Sequence, residues 1–448
     1  MAWRQALRAS RGPCKCQSNR PAATARLRPS TRPAYEQEMT DAAVPVSEPS
    51  ASAGDGMKAE VGGHRLELIF DGDRRLERLL ALINGAIRSI DLIMYIFEHD
   101  GAGTRVLDAM TAAARRGVRV RAVIDSFGSG DVADSVFVPL REAGGTVTFF
   151  SRRWRSSYLV RNHQKLILID GHVAVTGGFN IADDYLSKPR GDCWFDLGLV
   201  VAGPTVARAV QWFDTIHHYT AHDDGKLLML RRLVREWNIG TGPVQWLVGG
   251  PTERLSPWAR AVRADLDRGR RLDMVMAYFS PGQGMLRRIG RLARRGKARF
   301  IMAAKSDNPA TIGASRLLYG FLLRRGADIR EYRPCKLHMK LIVIDDVTYI
   351  GTANFDMRSL FINVELMVRI TDAAFAEGLR DFVAGLEPQC DVVTVESHKK
   401  RGTWLTRLRW FLAWFVVGFA DYTVTRRLNF GLTEHDPRVD ALPWGQDP

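Results

Sequence analysis

Asn162-His163-Gln164-Lys165-Leu166-Ile167-Leu168-Ile169-Asp170 and Leu337-His338-Met339-Lys340-Leu341-Ile342-Val343-Ile344-Asp345 write one pattern twice, H-x-K-x4-D. Gly171 and then Gly177-Gly178-Phe179-Asn180 follow the first copy, and Gly351-Thr352-Ala353-Asn354 follows the second. An Asn stands 17 residues after the first His and 16 after the second. The four apolar residues behind each Lys read as a buried strand. Side chains alternate along a strand, so His163 and Lys165 share one face, as do His338 and Lys340. Asp170 and Asp345 lie an odd number of residues from both and leave by the other face, as braces at a turn. Asp170-Gly171 is a hairpin signal, and Val173 to Val175 supply a returning strand that carries Asn180 back towards the His. Asn354 returns the same way.

These residue types suit phosphate chemistry. Lys is a compact charge for a phosphate oxygen, Asn offers an amide donor, and His serves as nucleophile or general acid near neutral pH. One copy would be a weak signal, since a buried His is usually a satisfied core residue. Two copies sharing the Asp spacing, the strand and the trailing Asn make coincidence a poor explanation.

On these residues the chain resembles the phospholipase D superfamily with two HKD motifs. The segment Gly351-Thr352-Ala353-Asn354-Phe355-Asp356-Met357-Arg358-Ser359, with Asn363 and Glu365 after it, is especially similar to bacterial cardiolipin synthases. The resemblance runs from about residue 64 to about residue 395. It implies that His163, Lys165, Asp170, His338, Lys340 and Asp345 form the catalytic motif. It places Asn180, Asn354 and Thr352 around the substrate phosphate. It also makes Asp196 and Glu365 the carboxylates that orient each His through its other ring nitrogen, as the acid of a hydrolase triad does. The plain alternative for these two is a surface or hairpin acid. Gly178 stands where many superfamily members have Ser or Thr, so one hydroxyl near the phosphate is missing. Cardiolipin synthase-like members often carry Gly there.

The rest of the chain repeats as the motifs do. Leu66 to Phe70 reads as a strand, Arg74 to Ser89 as an amphipathic helix, Ile90 to Ile96 as a strand, Gly103 to Arg116 as a helix and Val118 to Ile124 as a strand. The second half runs through Val244 to Val248, a helix from about Pro257, Leu272 to Tyr278 and a helix ending near Arg295. Ala113-Ala114-Arg115-Arg116-Gly117 matches Leu292-Ala293-Arg294-Arg295-Gly296, and Tyr95-Ile96-Phe97 matches Tyr278-Phe279-Ser280. The expected fold is therefore α/β: two similar phospholipase D-type lobes, mixed sheets flanked by helices, about a pseudo-two-fold axis with one shared cleft. The expected divisions are a disordered basic extension over 1–60, a first lobe over 61–220 and a connector over 221–243. A second lobe over 244–395 and a tail over 396–448 complete the chain.

The formal net charge of +15 is unevenly placed. Residues 1–35 hold eight Lys/Arg and no acid, and residues 226–300 hold 17 Lys/Arg against five acids. Such concentrations suit anionic lipid surfaces or nucleic acid, and composition does not separate the two. Solvated Arg-rich helix faces explain part of it. No apolar core of signal-peptide length is present. The acid-free start resembles an organellar transit peptide, but a dispensable extension, or translation from Met39 or Met57, is preferred. Five cysteines give no disulfide scaffold and no metal-ligand spacing, and no metal or cofactor is expected. Arg152-Arg153-Trp154-Arg155 is a basic loop placed to rim the cleft, or simply exposed.

Trp404, Leu405, Leu408, Phe411, Leu412, Phe415, Val416 and Phe419 fall on one helical face, flanked by Arg401, Arg407 and Arg409. The uninterrupted apolar part, Trp410 to Ala420, is 11 residues, short of the ~20 that span a bilayer. It suits a helix in the membrane interface, with Trp404, Trp410 and Trp414 as anchors; the alternative is a helix capping the second lobe. The expected activity is phosphatidyl transfer from phosphatidylglycerol to make cardiolipin through a phosphohistidine, with a superfamily hydrolase (phospholipase D or nuclease) as the rival. Family precedent favours His163 as nucleophile and His338 as acid/base, which the residues alone do not decide. Anionic phospholipid and the membrane surface are the expected partners rather than nucleic acid, on the cytoplasmic side of a bacterial inner membrane as a peripheral protein. Oligomeric state is left open.

Overall fold

A computed structural model of the chain describes residues 56–150, 160–187, 193–223, 226–252 and 255–420. In the first lobe, β1 (Lys58–Val61), β2 (His64–Ile69), β3 (Ser89–Met94), β4 (Arg119–Asp125), β5 (Thr146–Phe150), β6 (Leu166–Ile169) and β7 (Val173–Gly177) precede the two-residue β8 (Trp194–Phe195) and β9 (Gly198–Ala202). All but β8 form one eight-stranded sheet in the order β1-β2-β9-β7-β6-β3-β4-β5. Strands β3, β4 and β5 are parallel, and the motif strand β6 runs antiparallel to β3 and turns into β7.

The second lobe repeats this. Its strands are β10 (Val244–Gly249), β11 (Arg271–Met276), β12 (Phe279–Ser280), β13 (Lys297–Ala303), β14 (Asp328–Tyr332), β15 (Lys336–Leu337), β16 (Lys340–Ile344), β17 (Val347–Gly351), β18 (Phe355–Asp356), β19 (Glu365–Thr371) and β20 (Cys390–Val393). The large sheet runs β10-β19-β17-β16-β11-β13-β14-β20, so the motif strand β16 sits between the same neighbours as β6.

Every residue of β6 and β16 is buried, as expected for strands covered on both faces. Helices α1 (Gly72–Asn84) and α2 (Gly101–Arg115) cover the outer face of the first sheet, through Leu76, Leu79, Ile83, Val106 and Met110. The inner faces of both sheets share one core. There Leu166, Leu168, Leu341 and Val343 pack with Trp212 and Phe213 of α3 (Val206–His218). Helix α4 (Leu227–Glu236) adds Leu230 and Val234, so the expected connector is itself part of the core. The outer face of the second sheet carries α5 (Pro257–Arg268), α6 (Gln283–Arg295) and α7 (Pro309–Leu323), while α8 (Ala373–Leu386) joins the shared core. Helix α6 buries Met285, Ile289 and Leu292 and exposes Arg287, Arg291, Arg294 and Arg295, so part of the basic charge is a solvated helix face.

Two expectations need correcting. The extension taken as disordered to residue 60 already forms β1 from Lys58, paired in register with β2; residues 1–55 of it lie outside the described residues, as does Arg152-Arg153-Trp154-Arg155. In the tail, α9 (Val395–Arg401) and α10 (Trp404–Trp414) pack on the second lobe. Trp410 is buried, stacked on His398 at 5.2 Å, so it is no interfacial anchor. Periodicity found one apolar stripe, yet a second, narrower one does the docking. Trp404, Leu405, Leu408, Phe411, Leu412, Phe415 and Val416 remain exposed. No described helix is long and apolar enough to cross a membrane.

Candidate active site

The lobes meet where the motif strands begin, and they exchange backbone there. Strand β15, just before His338, pairs in parallel with β8 of the first lobe, and Asn162, just before His163, bridges to Val364 of the second. The His338 N–H donates to the Phe195 carbonyl at 2.8 Å, and the His163 N–H donates to the Val364 carbonyl at 2.9 Å. Phe195 and Val364 immediately precede Asp196 and Glu365. Each histidine is therefore registered against the carboxylate of the opposite lobe.

The side chains complete that crossing. His163 Nδ1 lies 3.0 Å from Glu365 Oε2, and His338 Nδ1 lies 2.6 Å from Asp196 Oδ2. Both carboxylates are fully buried. Lys165 Nζ donates to the His163 carbonyl at 2.8 Å, and Lys340 Nζ donates to the His338 carbonyl. Lys340 Nζ also stands 2.8 Å from His338 Nδ1. That nitrogen serves only one partner, and the shorter contact favours an Nδ1–H donating to Asp196, which leaves Nε2 for the cleft. Asn180 and Asn354 are buried, and among the described residues each keeps an amide Oδ1 without a partner. Each therefore offers one end of its amide to a ligand.

The two halves are not electrostatically equal. Burial pushes the Glu365 carboxyl up to about 7, against the pull of Lys165 and of the Thr352 hydroxyl, which donates to Oε2 at 2.6 Å. Burial would raise Asp196 too, but its contact with His338, then Lys340 and Arg75, outweighs it and holds it below the usual carboxylate range. Burial, then Lys165 and Lys340, keeps His163 well below its ordinary value, and burial, then Lys340, lowers His338 to about 3. The two ammoniums are themselves lowered by burial, Lys165 to about 7 and Lys340 to about 8. So close a set titrates as a unit.

Gly178, the position equivalent to Thr352, has a steric explanation. A Cβ there would lie 2.4 Å from Asp196 Oδ1. The missing hydroxyl is the space the shorter carboxylate occupies.

Asp170 and Asp345, grouped by the motif with the catalytic residues, stand at the other end of their strands, about 16 Å along the chain from Lys165 and Lys340 at the usual rise. Both have positive φ, 53° and 47°. Asp170 accepts from the N–H groups of Ile87, Arg88 and Ser89, and Asp345 from those of Arg270 and Arg271. They fasten the motif hairpin to the start of β3 or β11 and do not reach the cleft.

Sequence reasoning missed the aromatic walls. The Tyr95 ring packs edge-on to His163 at 4.7 Å, and Tyr185 and Trp194 pack edge-on to His338 at 5.1 and 5.2 Å. Tyr278 faces His338 more distantly and donates to Asp307 at 3.0 Å. The repeated Tyr95 and Tyr278 landmarks were the signal that could have found them. Asp125, raised by burial to about 6, was also missed; it accepts from the Asn162 N–H at 2.7 Å and so seats the residue before His163. Among the described residues, no three His, Cys, Asp or Glu side chains cluster as metal ligands.

Comparison with known proteins accords with this geometry. The sequence model described as "Cardiolipin synthase, PLD-like domain" matches residues 79–216 and 263–385. The chain is 28% identical over 388 residues to cardiolipin synthase B of Escherichia coli strain K12, covering 84% of this chain and 92% of that one. It is 31% identical over 332 residues to the major cardiolipin synthase of Bacillus subtilis, covering 70% and 67%. The crystal structure of phosphatidylserine synthase from Haemophilus influenzae superposes with a TM-score of 0.65 over 81% of this chain and 94% of that one, at 13% identity, a likeness of fold. With both of its repeats matched, each carrying one motif, this chain belongs to the cardiolipin synthase, phospholipase D-like domain family.

Proposed function

We propose that the protein is a phosphatidyltransferase that forms cardiolipin from phosphatidylglycerol through a phosphohistidine. The observation that carries the reading is the crossed pair of His–carboxylate contacts around one cleft, in a chain similar to cardiolipin synthases. His163, neutral beside a Glu365 carboxyl near 7, is suited to attack phosphorus through Nε2. His338, beside an ionised Asp196, is suited to the acid/base role. Entry of the anionic phosphodiester between Lys165 and Lys340 offsets the cations that hold His338 neutral, and Asp196 then favours its imidazolium. The imidazolium protonates the departing glycerol oxygen as the His163–phosphorus bond forms. Neutral His338 then takes the proton of an acceptor hydroxyl, whose oxygen displaces His163 from phosphorus. Lys165, Lys340, Asn180 and Asn354 stabilise the non-bridging oxygens as charge builds on them.

The acceptor is a second phosphatidylglycerol or another glycerol-bearing lipid. Peripheral attachment to the cytoplasmic face of the membrane fits the exposed apolar stripe of α10 with Arg407 and Arg409 beside it. Incubation of the purified protein with labelled phosphatidylglycerol should yield labelled cardiolipin and free glycerol. Phosphatidic acid as the main product would instead make water the acceptor and the protein a hydrolase.

A further inference from the structure

Helices α7, α9 and α10 enclose a cavity of about 500 Å³ that the transfer chemistry does not use. One wall is apolar, from Leu317, Phe321 and Trp410. The other is cationic, from Arg324, Lys399 and Arg407. None of these three forms an ion pair with a carboxylate among the described residues; the nearby buried Glu331 is already taken by Arg316 and Arg401. The ring of His398, held against Trp410, also lines the space, and its nitrogens have no hydrogen-bond partner among the described residues. The floor is Gly320. A Cβ there would lie 3.3 Å from His398 Nε2 and 3.4 Å from Arg324 Nη1, so a larger side chain would fill the gap between them. A glycine inside a helix costs stability, and here it keeps the space open.

We propose that this cavity is a second binding site for the phosphate of an anionic phospholipid, separate from the histidine cleft. Arg324, Lys399 and Arg407, none in an ion pair among the described residues, supply the charge for a phosphodiester. Across the cavity from those cations stands the apolar wall of Leu317, Phe321 and Trp410, where the first carbons of acyl chains would lie. That pairing of an apolar wall with a cationic one favours a lipid headgroup over free phosphate. Helix α7 fixes the separation from the chemistry. Asp307, just before its start, accepts from Tyr278 at the cleft, whereas Gly320 lies about 16 Å further along at the helical rise. A lipid seated here would hold the second lobe against the bilayer as a non-reacting tether, and the inference does not depend on which alcohol accepts the phosphatidyl group.

The test is flotation of the full chain with phosphatidylcholine vesicles with and without phosphatidylglycerol. A charge at an anionic surface contributes about fivefold in partitioning, so Arg324→Gln/Lys399→Gln/Arg407→Gln should lose on the order of a hundredfold in affinity for the anionic vesicles. Gly320→Leu, which fills the cavity and leaves every charge in place, should lose about tenfold or more, roughly the share of a well-placed headgroup contact. Both should retain activity on a soluble short-chain substrate, which separates this site from the cleft. A photoactivatable phosphatidylglycerol bound to His163→Ala should label peptides of α7 and α9 as well as the cleft. Undiminished flotation of Gly320→Leu would reduce the cations to a diffuse field and overturn the proposal. Should that variant not fold, labelling confined to cleft peptides would overturn it equally. Protection of α7 and α9 from labelling by inorganic phosphate alone would assign the site to the free ion.

Discussion

Replacing Gly178 by serine would restore the hydroxyl that many relatives carry, and the geometry here predicts that it damages the site. The new Cβ would start 2.4 Å from Asp196 Oδ1 and 2.8 Å from Oδ2. The carboxylate has nowhere to retreat: it is fully buried, Oδ1 accepts from the Leu197 N–H at 2.7 Å, and Oδ2 meets His338 Nδ1 at 2.6 Å. An ordinary contact requires a shift of about 1 Å, which stretches the His338 contact beyond hydrogen-bond range. A hydrogen bond to a charged group is worth about 1.5–3 kcal/mol, and each 1.36 kcal/mol is about tenfold in rate. Turnover of phosphatidylglycerol should therefore fall by about 10- to 150-fold, with KM little changed and a destabilisation of about 1–3 kcal/mol from overpacking. The pairing with Asp196→Asn makes the test specific: once Asp196 no longer holds His338, Gly178→Ser should cost little more. Turnover within threefold of the parent enzyme, or a double variant whose losses multiply, would refute the reasoning.

His163→Ala and His338→Ala should each lower turnover by at least about 10²–10⁴-fold, measured as cardiolipin formed; a variant keeping more than a tenth of the activity would dissolve the two-histidine site. Because burial brings Lys165 to about 7 and Lys340 to about 8, both lose their protons and their hold on phosphate as pH rises through that window. The free-enzyme profile, kcat/KM, should decline above about pH 7, and Lys165→Arg should move that limb upward towards the Lys340 value; a profile flat to high pH would argue against the assignment. Chelators should leave the chemical step intact on a soluble substrate, since the two ammoniums supply the cationic charge; complete loss restored by one divalent ion would overturn this. Substituting Ser for Trp404 and Phe411 of α10 and for Phe415 just after it, all exposed, should release protein from anionic vesicles without unfolding it, whereas Trp410→Ser should lower the melting temperature.

The sequence made legible what is local. Apolar runs marked β6 and β16 almost to the residue, and strand parity put Asp170 and Asp345 on the far side as braces, although the family motif groups them with the catalytic residues. The duplicated order of elements foretold two like sheets. What was not legible depends on distance along the chain. His163 and Glu365 are 202 residues apart, and His338 and Asp196 are 142 apart; only the family resemblance suggested that these acids mattered, and nothing in the spacing said that they cross between lobes. The aromatic walls were hidden for a related reason. Tyr95, Tyr185 and Trp194 sit at strand ends and turns, where no periodicity marks a side chain as facing a cleft. For α10, a mean helical pattern located the wide apolar face and could not reveal that Trp410, off that face, is the residue the second lobe buries.

The crossing has a consequence for why the chain carries both lobes in one unit. A single lobe would contain a His, a Lys and an Asn, yet its histidine would lack both the backbone acceptor and the carboxylate that set its tautomer. Its own carboxylate would lose the histidine that the other lobe supplies. Separation would also open the shared core to water, because Leu166 and Leu341, next to the two lysines, pack in the same apolar cluster. Duplication also frees the two halves to diverge. With one histidine beside Asp196 and Gly178 and the other beside Glu365 and Thr352, the two carboxyls are shifted in opposite directions from their ordinary values. A symmetric site would give two equivalent imidazoles, and a displacement needs one to attack while the other holds a proton. The shorter acid, the glycine that makes room for it and the threonine that takes the opposite place are the residues through which this chain makes its two histidines unequal.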